Sequence, residues 1–393
     1  MSSRRNKGIL YRVKKKQNLG PTDRPFTIAL IILTLFGLLM VFSASMYTSA
    51  VKSSTGSGYT QFVKQAVFVV IGLFFLYIGT FLDYRKYCNM RRAWIFYGVA
   101  LLLLAAVLFV GTEVNGAKRW LPLGPLGFQP SELAKMAGIV YASTVVTEKK
   151  EVYHSFWRFT QYCILPMLVL CVLAAVEPSL SAAMAIGFGM LCVYFFAGID
   201  FKFFLPYLAI IILGVVVSFK MQPWRIDRLM ALLGKGGKDY QIKQSILAIG
   251  SGGIFGRGLG NGKQKMLFLP ELQNDFIFAN IGEECGLLGC VFLLLLYAYI
   301  IYRGIKIAKA SHTKFGYVYG CSVMALLGFQ VIVNVGVATS IFPVTGMALP
   351  FVSAGGTYIL ILCWMVSPIF NMSRHPIKTR KRQKRSEKEE NES

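Results

Sequence analysis

Apolar runs of about 20 residues recur along most of this chain, and a run of that length is long enough to cross a bilayer as a helix. The first begins at Phe26 and the last ends near Phe370. Charged residues make up 15% of the chain and hydrophobic ones 55%, whereas a soluble domain carries roughly 25% charge. The fold class expected is therefore an all-α polytopic integral membrane protein. The formal net charge of +24 raises the question of nucleic acid. However, the cations sit mostly at the ends of the apolar runs instead of forming one soluble basic face, so membrane orientation explains them and no nucleic-acid partner is expected.

Ten spans are expected. They run from about Phe26 to Tyr47, Phe62 to Leu82, Trp94 to Gly111, Ser131 to the segment TEKKEVYHSFWR, Phe159 to Val176 and Leu180 to Ala197. A seventh ends near Lys220, and three more cover Ile277 to Tyr302, Phe315 to Val337 and Gly346 to Phe370. Basic residues dominate residues 1–25, the loops DYRKYCNMRRA and RGIKIAKASHTK, and the tail 371–393. By the positive-inside rule these parts are cytoplasmic, and the tail is too hydrophilic to fold alone. The first run follows a basic segment and is long enough to span, so it reads as a signal anchor and not a cleavable leader. The eight cysteines are scattered through apolar runs without a CxxC pair and read as small apolar residues, neither disulfides nor metal ligands.

One long segment, 221–276, falls on the outer side although it carries Arg225, Arg228, Lys235, Lys238, Lys243, Arg257, Lys263 and Lys265. Long loops translocate regardless of charge, and the excess of cations suggests an anion outside. Overlapping its second half and running into the next span, Gln244 to Gly286 combines closely spaced glycines with Glu271, Asp275, Glu283 and Glu284. The P-loop pattern fails, because Arg257 occupies the first glycine position and Gln264 the Ser/Thr position. Backbone amides with Lys and Arg can still hold a diphosphate. The competing reading is a flexible re-entrant loop.

Four blocks resemble the SEDS family (shape, elongation, division and sporulation), of the FtsW, RodA and SpoVE type. They are NGAKRWLPLGPLGFQPSELAK from Asn115, the long block from Tyr240 that contains LPELQNDFIFANIGEECG, QVIVNVGVATSIFPVTGMALPFVSAGGT from Gln330, and a short SAS near the end of the first span. They occur in the family's order and cover nearly all of the membrane portion. The resemblance implies a peptidoglycan glycosyltransferase in the bacterial plasma membrane that polymerises lipid II on the outer face. Its implied partners are lipid II, the growing lipid-linked glycan, a class B penicillin-binding protein and other division or elongation proteins. The domain boundaries expected are 1–25, 26–370 and 371–393, with 221–276 as the catalytic loop. The long basic tail leans toward a division role.

The resemblance maps the family's essential acid onto Asp275, preceded here by Gln273 and Asn274 where His and Thr are usual. A positioned carboxylate can take the proton from an acceptor hydroxyl as general base, while cations or a metal absorb the charge of the departing diphosphate. Arg119, Arg225 and Arg228 are candidates for that diphosphate, and Gln244, Ser245 and Lys263 are assigned to substrate binding with them. Glu271, four residues before Asp275, reads as an orienter, a metal co-ligand or a plain surface acid. Glu132 and Lys135 share a helical face and form a functional pair or neutralise each other. Trp120 stacks on sugar or belongs to the interfacial belt. Asn334, Thr345 and Ser353, with Pro343, Gly346 and Pro350, are expected to build a polar cavity from broken helix ends. Glu283 and Glu284 are expected to compensate the dipole at the start of a helix. A divalent cation, Mg or Mn, is the only cofactor anticipated; its ligands are unknown and no organic cofactor is expected.

Two departures stand out. The chain reads EPSLSAA where a PDxGTA pattern is usual, with Ser179 in place of the Asp and Ser181 in place of Gly, and AGGT at Ala354 to Thr357 stands for YGGS. Two other functions fit ten spans with Pro and Gly breaks: a lipid II flippase or transporter, and a non-catalytic scaffold for wall assembly. A transporter places its indispensable polar groups near the midplane, whereas a polymerase needs them at the membrane edge.

Overall fold

The structure is a computed structural model, which describes residues 20–52, 58–114, 117–123, 126–177, 179–207 and 240–375. Its helices are α1 (Arg24–Lys52), α2 (Thr60–Phe81), α3 (Met90–Val110), α4 (Pro130–Glu148), α5 (Phe156–Val176, with a π-helical turn at Thr160–Ile164) and α6 (Leu180–Ala197). After the loop come α7 (Tyr240–Gly252), α8 (Ile277–Lys309), α9 (Lys314–Ala338) and α10 (Gly356–Ser373). Eight of these, all but α4 and α7, are long and apolar enough to cross a membrane. The seventh expected span, ending near Lys220, lies from 208 onward outside the described residues.

The expected fourth span is present as α4, and its composition follows from where it sits. It packs against α3, α6 and α9, and every residue from Pro130 to Val146 is buried. Surrounded by protein instead of lipid, it can carry Ser, Thr, Glu132 and Lys135, and Ala134, Ala137, Gly138 and Ala142 allow close helix approach. That polarity removes α4 from the hydropathic spans while making it the central helix. Around it, α10 packs chiefly along α2, α8 along α9, α5 along α6, and α1 against both α2 and α8.

One element is added to the sequence expectations and one boundary is corrected. The membrane-spanning part is all-helical as expected among the described residues, and the unexpected element is outside the spans, where the loop after α3 forms a three-stranded antiparallel sheet, β1 (Thr112–Val114), β2 (Ala117–Leu123) and β3 (Leu126–Phe128). The last span starts at Gly356 instead of Gly346, because Pro343, Pro350 and the left-handed Gly346 (φ 73°) keep 340–355 irregular. That irregular cap, the sheet and the loop 253–276 gather at one end of the bundle. At the opposite end Asp23 pairs with Arg303 at 2.5 Å, and Arg374 donates to the Gly20 carbonyl, tying α1 to α8 and α10.

Candidate active site

A polar cavity of about 670 Å³ opens between α2, the sheet, α4, α6, the loop 271–275 and the irregular cap. Six of the candidate catalytic and substrate-binding residues line it: Arg119, Trp120, Glu132, Lys135, Glu271 and Asp275. They come from two sequence blocks about 135 residues apart, so the fold, not the chain, brings them together.

Asp275 reaches the cavity on a turn held almost entirely through its backbone. The three consecutive carbonyls before α8 each accept a hydrogen bond: Gln273 O from the Ala354 N–H (2.9 Å), Asn274 O from the Ser353 hydroxyl (2.5 Å) and Asp275 O from Asn334 Nδ2 (2.9 Å). Asn334 Nδ2 also donates to Met347 O at 2.8 Å, and the Leu349 N–H donates to Ser353 Oγ. Asn334 and Ser353 are thus clamps on the turn that carries Asp275 and do not line the cavity. Gln65 extends the clamp, its Oε1 accepting from the Gly355 N–H at 3.1 Å.

Glu271 and Asp275 share the cavity through a single turn, the Asp275 N–H donating to Glu271 O at 3.1 Å. Glu271 takes a left-handed φ of 54°, a conformation that costs a non-glycine residue on the order of 1–3 kcal/mol unless its surroundings enforce it. Its side chain accepts from Asn274 Nδ2 at 2.5 Å. Gly346 lies opposite, where an added Cβ would stand 3.6 Å from Asp275 Oδ2. Only a residue without a side chain leaves both φ and that space available.

Cations occupy the other walls. Lys135 pairs with Glu132 at 2.6 Å, one turn apart on α4, and its ammonium lies 5.3 Å from the centre of the Tyr358 ring. Both are nearly buried, so the pair survives only because each neutralises the other. Arg119 on β2 donates from Nε to the main-chain carbonyl of Glu177 at 3.3 Å. Trp120, next to it, rests on Gly127, whose carbonyl accepts from Thr357 at the start of α10. Lys64 on α2 also faces the cavity.

The glycine-rich loop does not form an open diphosphate cradle. Its amides are committed internally: Lys263 and Gln264 donate to Glu283 at 2.8 and 3.1 Å, and Gly260 donates to Glu284 at 3.1 Å. Ser43 on α1 donates to Glu284 at 2.6 Å, Lys265 pairs with Glu284 at 3.1 Å, and Arg257 approaches Glu283 at 3.8 Å. Lys263 is exposed on the loop and away from the cavity. The dipole reading of Glu283 and Glu284 is likewise corrected. They lie in the second turn of α8, beyond the reach of the terminal partial charge, and serve as acceptors for the loop. Gly286 makes this possible with φ 68° and ψ −165°, a break where an added Cβ would lie 2.3 Å from Gly256 N.

Gln244, Ser245 and Thr345 do not line the cavity; Ser245 instead donates to Ala338 O, joining α7 to α9. Arg225 and Arg228 lie outside the described residues. The sequence reading missed Gln61, Lys64 and Gln65 on α2 and Gln330 on α9. A signal existed for the first three: polar residues at i, i+3 and i+4 opening an apolar run mark one wet helical face. It also missed Glu177, in the turn between α5 and α6. This residue is fully buried, and neither carboxylate oxygen has a hydrogen-bond partner among the described residues. Burial pushes its carboxyl up to about 8, against the lowering pull of the Arg119 charge. Among the described residues no group of three or more His, Cys, Asp or Glu is gathered as a metal centre. The carboxylates of Asp275 and Glu271 are the donors that could share a hard cation with water and phosphate.

Comparison with known proteins agrees with this architecture. A "Probable peptidoglycan glycosyltransferase FtsW" of Taylorella equigenitalis is 36% identical over 337 residues, 83% of this chain and 91% of that protein. "Stage V sporulation protein E" of Bacillus subtilis is 32% identical, covering 88% and 94%. Among solved structures, a chain of a peptidoglycan synthase complex described for coordination of polymerization and crosslinking superposes with a TM-score of 0.72, at 26% identity over 90% of this chain and 98% of its own. The Thermus thermophilus rod shape determining protein RodA gives 0.65 and 26%, covering 91% and 98%. Residues 23–378 match the family described as cell cycle protein, FtsW/RodA/SpoVE. This multi-pass membrane protein belongs to the FtsW/RodA/SpoVE family.

Proposed function

We propose that the protein polymerises lipid II into glycan strands on the outer face of the cytoplasmic membrane, with Asp275 as general base. The observation that carries this reading is the meeting, in one polar cavity at one end of the bundle, of Asp275 with the cations Lys64, Arg119 and Lys135. Joining two sugars needs a base at the acceptor hydroxyl and positive charge at the departing diphosphate, on opposite sides of the anomeric carbon. Asp275 accepts the proton of the acceptor glucosamine 4-hydroxyl as its oxygen attacks. The C1–O bond to the diphosphate breaks, and Arg119 and Lys64 take up the leaving charge. In-line displacement converts the α-linked lipid donor into a β-linked glycan. A lipid diphosphate leaves without protonation, so a second carboxylic acid is unnecessary, and Glu271 orients the turn.

The donor set also fits a divalent cation of the Mg or Mn class. Asp275 and Glu271 would hold it, and it would supply further charge neutralisation at the diphosphate. Both termini lie on the cytoplasmic side, following the basic segments at each end. Crosslinking falls to a separate class B penicillin-binding protein, and other division or elongation proteins complete the machinery. The test is to incubate lipid II with the full chain and its cognate transpeptidase and follow glycan strands. Wild type yields strands and Asp275→Ala yields none. Equal yields from the two would refute the base role, and translocation of lipid II without strand formation would favour a transporter.

A further inference from the structure

Glu177 is a buried acid near the cavity that the reaction above does not use and that, unlike Glu132, has no ion-pair partner among the described residues. It sits in the turn that joins α5 to α6, fully buried, with both side-chain oxygens lacking a hydrogen-bond partner among the described residues. Its own main-chain carbonyl receives Arg119 Nε at 3.3 Å, so the guanidinium is already keyed to this turn. Two residues on, Ser179 lines the cavity that Arg119 also lines. Resting on the reading of Arg119 as a diphosphate ligand, we propose that Glu177 is a positioning residue for Arg119. As a neutral carboxyl it leaves the guanidinium charge to the donor diphosphate, and as a carboxylate it competes with that diphosphate for the same charge.

The energetics favour the neutral form at rest. An ionised carboxylate without hydrogen bonds in a buried turn is costly, and burial, only partly offset by Arg119, keeps this carboxyl protonated up to about pH 8. The other charged groups facing the cavity are Lys64 from α2, the Glu132–Lys135 ion pair from α4, and Glu271 and Asp275 from the loop. Of the residues that α6 and the turn before it present there, Ser179 and Ser181 carry no charge. Glu177 combines a raised titration with a main-chain contact to Arg119. An anion seated on Arg119 removes the charge that favours ionisation, so donor binding and proton retention at Glu177 support each other, as linkage requires.

The experiment measures binding of lipid I to the full chain with its cognate transpeptidase from pH 6 to 9. Lipid I has no acceptor glucosamine, and its diphosphate is a diester whose charge is constant over this range. Wild type should lose affinity about tenfold between pH 7 and pH 9, the range in which a carboxyl titrating near 8 goes from mostly neutral to mostly ionised. Glu177→Gln, which cannot ionise, should bind at pH 9 as it does at pH 7. Parallel loss of affinity in wild type and Glu177→Gln overturns the proposal, as does wild-type affinity that stays flat. Thermal melts of both proteins at pH 7 check folding, and Glu177→Ala serves if the Gln variant does not fold. Arg119→Ala separates the two layers of the argument. Unchanged lipid I affinity in that variant overturns the assignment of Arg119 to the donor, and with it this proposal. Weakened binding in Arg119→Ala together with an unflattened Glu177→Gln profile overturns the role of Glu177 alone.

Discussion

Removing the Asn334 side-chain amide tests the idea that Asp275 works because its backbone is clamped. Asn334 Nδ2 is shared between Asp275 O at 2.9 Å and Met347 O at 2.8 Å, so Asn334→Ala deprives two carbonyls of the same donor. An unsatisfied buried acceptor costs about 1–3 kcal/mol, and only the Asp275 share displaces the base. Taking that share as about 1.5–3 kcal/mol, the reactive pose is depopulated and kcat falls by roughly 10- to 100-fold. The cations across the cavity are untouched, so KM for lipid II should stay within about threefold, because the ground-state contacts to the donor remain. Strand synthesis at several lipid II concentrations separates the two parameters. Asn334→Asp, which keeps the volume but cannot donate when ionised, should be at least as impaired. A folded Asn334→Ala protein with kcat within twofold of wild type, or one changed only in KM, would refute the reasoning.

Glu284→Ala leaves the Gly260 N–H and the Ser43 hydroxyl without their acceptor, and the buried Lys265 ammonium without its carboxylate, with only the neutral Gly260 O and Ser43 Oγ to accept from it. Breaking a buried pair from one side costs about 3–5 kcal/mol, which a thermal melt should register as a large drop. Gly286→Ala forces a side chain into φ 68°, ψ −165° and against Gly256 N at 2.3 Å, so little folded protein should be recovered, seen as loss of the monodisperse peak in size-exclusion chromatography. The Glu177 carboxyl is raised from an ordinary value of 4.5 to about 8 in the folded state. The unfolded chain therefore releases its proton first, stability declines as pH climbs past 4.5, and the decline levels off above about 8. Glu177→Gln should lack that component, so its melting temperature should exceed that of wild type at pH 8 by more than at pH 5.

Much of the fold was legible because lipid imposes a length and polarity rule that helices obey residue by residue. The eight apolar spans coincide with runs visible in the sequence, and α4 was found although its polarity is that of a helix buried among helices. The Glu132–Lys135 pair was equally legible, since three-residue spacing on a helix dictates contact. What sequence spacing does not encode is long-range main-chain pairing. Asn334 and Ser353 read as cavity residues, yet their partners are the carbonyls of Asp275 and Asn274, 59 and 79 positions away. The glycine-rich segment read as an anion cradle because glycine and lysine signal exposed amides. Here the anions it binds are its own chain's Glu283 and Glu284. Glu177 is not legible in the sequence because an acid in a short turn between two spans reads as solvated, and only the packing of that turn buries its carboxyl without a partner among the described residues.

The most direct test of the account compares wild type with Asp275→Asn, each as the full chain with its cognate transpeptidase, in the polymerisation of lipid II. The substitution keeps the size of the side chain and the clamps on the 273–275 carbonyls, but an amide cannot accept the acceptor proton. The account predicts that Asp275→Asn binds lipid I with wild-type affinity and makes no glycan strands. Strand synthesis by Asp275→Asn at the wild-type rate would contradict it.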